Sequence, residues 1–182
     1  MRQHSYKAEA IVLSRRNFGE ADKILTVLTK HQGKLRAIAK GIRRPASRKR
    51  GSLELFNGVV IFLAKGRNLD IITEAQTKDS FSGWRKDLLR VGIAYHLVEV
   101  VNKLTREDQE VKRVYELLYS AFLRLETVDF WKIHELVVNF KKEILEDLGF
   151  MASGRSVGNL DSYIEELSQS KLRTIRFLRT LR

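Results

Sequence analysis

The chain contains no cysteine. A disulfide framework, a thiol nucleophile and any cysteine-ligated zinc or iron–sulfur centre are therefore excluded. The same absence accords with a reducing compartment. Proline occurs once, at Pro45. Long apolar runs are missing too. The longest, Val59 to Ala64, has the length of a buried strand and falls far short of the ~18–20 residues of a membrane span. The opening MRQHSYKAEAIVL is too polar for a secretory signal. These features together read as a soluble, cytoplasmic protein. No repeat and no low-complexity segment is present. The four histidines, His4, His31, His96 and His134, lie far apart and show no metal-ligand spacing. No P-loop and no nucleophile elbow occurs. Acidic charge is also scarce, with 22 Asp and Glu against 34 Lys and Arg.

What remains is a globular composition, 43% hydrophobic and 31% charged over 182 residues, with a net charge of +12. A surplus of that size points to a polyanionic partner, nucleic acid first and an anionic membrane surface second. The surplus is uneven. Residues 1–80 carry 17 basic and 7 acidic side chains, whereas residues 81–182 carry 17 and 15. The patterning changes at the same place, near the KDSFS segment at 78–82. We read a first domain at 1–80 and a helical second domain at 81–182.

The first domain reads as five short strands: Tyr6 to Phe18, Asp22 to Thr29, Lys34 to Lys40, Gly58 to Lys65 and Leu69 to Gln76. Short turns separate them, and Gly33 suits a positive φ in the second. In the third, Leu35, Ala37 and Ala39 share one face while Arg36, Ile38 and Lys40 share the other. Five such strands predict a small barrel. The fold class is α+β: a five-stranded OB-fold barrel, or less economically an SH3-like one, followed by an all-α domain. Four helices are expected in the second half. Ser82 caps the first, to Leu104. Asp108 caps the second, which carries Val111, Val114, Leu118 and Phe122. Asp129 caps the third, Phe130 to Leu148, and Gly149 closes it. The last runs from about Asp161 to the end.

Residues 34–50, KLRAIAKGIRRPASRKR, hold eight basic residues and no acidic one: Lys34, Arg36, Lys40, Arg43, Arg44, Arg48, Lys49 and Arg50. A solvated loop is the plain alternative. The density exceeds what solubility needs, Pro45 stiffens the loop, and Gly41 and Gly51 permit close backbone approach. Cations held on a stiff strand and loop form a phosphate-tracking surface. Arg15, Arg16 and Arg67 extend it if they share its face. A nuclear-localisation reading of RRPASRKR is weaker, because the cluster is embedded in a barrel. Phe18, Phe56 and Phe62 are the aromatics nearest this surface, and each reads as core or barrel rim. The chemistry thus favours backbone binding over base reading. Catalysis has no constellation: Glu143, Glu146 and Asp147 cluster beside Lys141 and Lys142 as an ordinary ion-paired face, so no enzyme activity, metal or cofactor is expected.

The order of blocks resembles a known family. The strand from Ala10 to Arg15, the turn Gly19-Glu20-Ala21-Asp22, LTVLT, the Gly33 to Gly41 block, the Arg43 to Gly51 loop and Leu53-Glu54 through Phe56 are similar to the bacterial recombination mediator family RecO. Gly66 to Ala75, LEDLGF (145–150) and SYIEELSQSKLRTIRFL (162–178) continue the resemblance. One departure stands out. A four-cysteine zinc module often follows the LGF segment, and here MASGRSVGN occupies that place, so no zinc site is expected. The resemblance implies binding of single- and double-stranded DNA, annealing of complementary strands, and loading of the RecA recombinase with the partner RecR on strands coated by single-strand-binding protein. It also implies a nucleoid-associated location. It further implies a pocket in the helical domain for the acidic-hydrophobic tail of single-strand-binding protein. Arg124, Arg173, Arg176 and Arg179 are candidate basic rims, with a solvated helix face the equal alternative for each. The alternative reading is a general RNA-binding or ribosome-associated OB protein. A nuclease or nucleotidyl transferase, a peripheral membrane protein and a pure docking platform are further alternatives.

Overall fold

Five strands, rich in β-branched residues at alternating positions, close into a barrel in the order β1-β2-β3-β5-β4. The computed structural model describes residues 5–155 and 157–180, without the side chains of Phe177, Arg179 and Thr180. The strands are β1 (Ser5–Phe18), β2 (Asp22–Thr29), β3 (Gly33–Ala39), β4 (Gly58–Ala64) and β5 (Asp70–Asp79). Strand β1 is long because it pairs twice, with β4 through Ser5 to Ile11 and with β2 through Ala10 to Phe18. The one parallel pairing, Ala37 with Asp70 and Ile38 with Ile71, joins β3 to β5 and closes the barrel. That order and closure are those of an OB-fold. The expected alternation holds. Leu35, Ala37 and Ala39 are buried in the barrel core with Leu25, Val27 and Ile61, while Arg36 is exposed.

A β-bulge falls between Val12 and Ser14 of β1. The extra residue reverses the alternation beyond it. Val12 points into the core, Ser14 lies opposite Thr26 on the outer side, and Arg15 lies opposite the core residue Leu25. Arg16 is thereby returned to the outer face opposite Ile24.

The chain forms two compact units: 1–80 with 107–115, and 81–106 with 116–182. Segment 107–115 belongs with the barrel. The backbone N–H of Asp108 donates to the Lys34 carbonyl at 2.9 Å, and Glu107 forms a single parallel bridge with Lys34. Asp108, expected to cap a helix, instead adopts φ +58 beside β3.

The second unit contains most of α2 (Lys112–Thr127), together with α1 (Leu88–Leu104), α3 (Ile133–Asp147), α4 (Leu160–Ser168) and α5 (Thr174–Thr180). Three expected boundaries are corrected. Ser82 opens a 3-10 turn, Ser82–Trp84, and α1 starts later under Asp87, whose carboxylate accepts from Leu89 N at 2.9 Å and Arg90 N at 3.2 Å. The turn is held because the buried Trp84 indole donates to the Phe122 carbonyl at 3.0 Å. Residues Phe130–Lys132 form a second 3-10 turn before α3. The last helix is two helices. Gln169 takes a left-handed conformation after α4. Glu165 then accepts from Leu172 N and Lys171 Nζ, both at 2.8 Å, and so stabilises the break. Gly149, with φ +74, closes α3 as expected. Among the described residues no helix is long and apolar enough to cross a membrane. His4 and the side chains of Phe177 and Arg179 lie outside the described residues.

Candidate nucleic-acid interface

The connection between β3 and β4, residues 40–57, is long, yet its backbone is tied at both ends. Gly41 N donates to the Asp22 carboxylate at 2.7 Å and Arg43 N to the Ala21 carbonyl at 2.9 Å. Arg44, Ser47 and Leu53 N–H groups close successive turns on Gly41, Arg44 and Lys49 carbonyls. Phe56 N reaches the Val12 carbonyl at 2.9 Å, and the Asn57 amide donates to the Gly51 and Ser52 carbonyls. Ile42 and Leu53 enter the barrel core. A loop so anchored holds its charged side chains near fixed positions, which lowers the ordering cost of binding.

The eleven sequence-predicted cations do not form one equal set. Lys40, Arg43, Arg44, Arg48 and Arg50 are exposed along the loop, and Arg16 is exposed on β1. Among the described residues none of these six has a salt-bridge partner. Arg43 donates to the Gly19 carbonyl at 3.3 Å, which sets the loop against the β1–β2 turn and beside Arg16's end of β1. Two acids that touch the loop are occupied. Asp22 accepts from Gly41 N, and Glu54 pairs with Arg15 at 2.6 Å. Arg67 is exposed on the β4–β5 turn.

Four predicted positions differ from these in their surroundings. Lys34 is buried, with 8% of its surface accessible, so it presents no cation to a surface ligand. Burial pushes its ammonium pKa down, partly opposed by Glu107. Arg36 is exposed but paired with Glu107 at 3.0 Å. Arg15 faces inward beyond the bulge and donates to the Leu53 carbonyl at 3.2 Å as well as bridging Glu54. Lys49 is half-buried and donates to the Ile72 carbonyl at 2.9 Å; burial lowers its pKa, with Asp22 opposing. Arg15, Arg36 and Lys49 thus tie the barrel to its loops.

Sequence reasoning missed an acidic counterpart. Glu107, Asp108 and Glu110 line a cleft of about 730 Å³ with Tyr6, Arg36 and Asp70. The Tyr6 hydroxyl donates to Asp70 at 2.6 Å, and Lys65 pairs with the same carboxylate at 2.9 Å. Burial pushes the Asp70 carboxyl up, but the bonds from Tyr6, Lys65 and Gly66 N outweigh it and hold the group below the usual carboxylate range. Such a cleft repels phosphate. The available cationic track therefore runs from Arg16 along the 40–50 loop and not across the outer edge of β3. The signal for it was the acidic run EDQE at 107–110, which no local pattern ties to the barrel.

The aromatics divide as well. Phe56 is buried at 3% and Phe62 is half-buried with Lys7 5.7 Å over its ring, but Phe18 is 50% exposed. In the helical unit a separate cavity of about 860 Å³ is lined by Ile93, Phe130, Trp131, Val137, Lys141 and Lys142, among others. Phe130 and Trp131 are 69% and 75% exposed there. Lys141 is buried and paired with Asp161, so the expected ion-paired face with Glu143, Glu146 and Asp147 does not include it. Arg124, Arg173 and Arg176 are exposed. Among the described residues no group of three or more His, Asp or Glu could hold a metal ion.

A family model described as "Recombination protein O N terminal" matches residues 1–81, and one described as "Recombination protein O C terminal" matches residues 85–159. The chain is 42% identical over 125 residues to the DNA repair protein RecO of Roseiflexus sp. (strain RS-1), covering 69% of this chain and 44% of that protein. It is 36% identical over 148 residues to the protein of the same name from Symbiobacterium thermophilum, covering 81% and 58%. A third, from Nocardioides sp., is 45% identical over 120 residues, covering 65% and 49%. The chain spans about half the length of the curated relatives it matches.

Proposed function

The chain belongs to the recombination protein O family, and from that premise we propose that it is a DNA-binding recombination mediator that anneals complementary single strands. The observation that carries this reading is the set of exposed, unbridged cations on a pinned loop: Lys40, Arg43, Arg44, Arg48 and Arg50, with Arg16 beside them. Phosphate binding releases condensed counterions and needs no sequence contact. A cationic surface that neutralises phosphates on two strands removes their mutual repulsion, so annealing requires no catalytic group, metal or nucleotide. The protein on this reading is not an enzyme.

The helical cavity supports a second contact. Its walls are largely apolar, the exposed Lys142 lines it, and Phe130 and Trp131 stand exposed at its edge. Those are the features that suit the acidic-hydrophobic tail of single-strand-binding protein. With RecR as co-partner, the protein would open coated strands to the RecA recombinase.

The test is annealing of two complementary fluorescent oligonucleotides, bare and coated with single-strand-binding protein, without nucleotide or metal. Acceleration in both cases supports the mediator reading. Acceleration of bare strands alone removes the tail contact and leaves a generic cationic binder. No acceleration at low salt overturns the reading, and structured RNA becomes the substrate to try.

A further inference from the structure

We propose that Phe18 is a stacking platform for an unpaired base of single-stranded DNA, placed beside the cationic loop so that the surface discriminates single strands from duplex. The proposal rests on the DNA-binding reading above and goes beyond it, because phosphate contacts alone do not tell the two apart.

The ring is half exposed at the end of β1. Strand alternation puts it on the same side as Arg16, two residues earlier. The next residue, Gly19, accepts the Arg43 guanidinium at 3.3 Å through its carbonyl, and Arg43 N is bonded to Ala21. Phe18 is thus flanked by two cations from two segments. Its backbone is held in register with Asp22, the carboxylate that accepts from Gly41 N. The space beside the turn is open: a Cβ on Gly19 would meet no atom within 4 Å. An aromatic ring left half in water contributes little to the barrel core. Its immediate neighbours are the groups that hold a phosphate backbone, and a backbone held there brings its bases within reach of the ring. Every base has a π-face, so stacking is tolerant of sequence. A duplex hides those faces within its own stack, and the ring then finds no partner.

The experiment compares wild type, Phe18→Ala, Phe18→Leu and Phe18→Trp by fluorescence anisotropy, with a single-stranded oligonucleotide and a duplex of equal length. Thermal melting of each variant is followed alongside. Phe18→Ala and Phe18→Leu are expected to lose about tenfold in single-strand affinity, with duplex affinity and the salt slope unchanged. Phe18→Trp is expected to bind single strands at least as tightly as wild type. Leucine keeps the apolar bulk of the turn, so a loss there with an unchanged melting midpoint separates stacking from folding. Single-strand affinity unaltered in both truncations would overturn the proposal. So would equal losses on both DNA forms. A wild-type protein that binds neither form at low salt would instead overturn the DNA-binding reading itself.

Discussion

Gly33 meets two demands that no residue with a side chain can meet. Its φ is +71, and a Cβ there would lie 1.8 Å from the Gln109 carbonyl oxygen. The strand would have to shed the 107–110 segment or distort. Gly33→Ala is expected to lower stability by about 1–3 kcal/mol, read as a shift of the urea midpoint at unchanged slope. His96 is the other residue with an outsized role. It is buried at 1% exposure, and its Nδ1 lies 2.7 Å from the Thr174 hydroxyl. That hydroxyl donates to Glu99 at 2.6 Å, so Nδ1–H is the donor to it. Burial, with the Lys141 charge, pushes its pKa down to about 4; Asp161 and Glu99 oppose. The folded-state value thus lies below the unfolded value of about 6.5. Between those values the unfolded chain binds more protons, so stability rises with pH and is lost as pH falls through the window. Acidification from pH 7 to 5 is expected to cost about 2 kcal/mol through this group. In His96→Gln the difference between the pH 7 and pH 5 urea midpoints should shrink accordingly. An undiminished difference would assign the pH sensitivity to the carboxylates.

At the scale of elements, the β3–β4 loop and the edge of β3 look alike in sequence but play different parts. On the loop the guanidiniums of Arg44, Arg48 and Arg50 are exposed without a bridging acid among the described residues. On β3, Arg36 is matched by Glu107 and Lys34 is covered. The two predictions separate them. Replacing Arg43, Arg44, Arg48 and Arg50 by Ala should reduce the salt slope of duplex DNA binding by about 3 to 4, at roughly 0.9 per phosphate contact. The melting temperature should hardly move, since these side chains are exposed. Arg36→Ala should leave the slope as it is, because an exposed ion pair of this kind is exchanged and no phosphate contact is lost. An Arg36 effect as large as that of a loop arginine would mean that segment 107–110 lifts off β3 when DNA binds.

For the molecule as a whole, the net charge of +12 and its concentration in the first 80 residues set the range of the attraction. If 6 to 10 phosphates are contacted, affinity should fall by about 10³–10⁵ between 50 and 200 mM salt. A salt titration with one oligonucleotide reads this directly. A shallow dependence would shift the recognition to uncharged groups and away from the loop. The helical unit has no comparable surplus, and its cavity is lined largely by apolar side chains. That suits contacts with protein better than contacts with DNA.

Sequence alone determined the strand count, the inward face of β3, the close of α3 at Gly149 and the basic loop. Each of these is written in neighbours one to four residues apart, where alternation, helical spacing and turn chemistry act. The tertiary structure decided which cations are available. The bulge at Leu13 turns Arg15 inward and Arg16 outward, and a one-residue insertion in register leaves no mark in the alternation of Ile11, Val12 and Leu13. Glu107 and Glu54 reach their arginines from 71 and 39 residues away, a pairing that only the closed chain brings about. The same holds for the break between α4 and α5. The helical spacing of Leu167, Leu172 and Ile175 is continuous enough to read as one helix. Glu99, 75 residues from Thr174, accepts from its backbone N–H at 2.9 Å and from Arg173 N at 2.8 Å, satisfying the start of α5. Local patterns choose the elements; contacts between residues far apart in the chain choose where elements stop and which charges stay free.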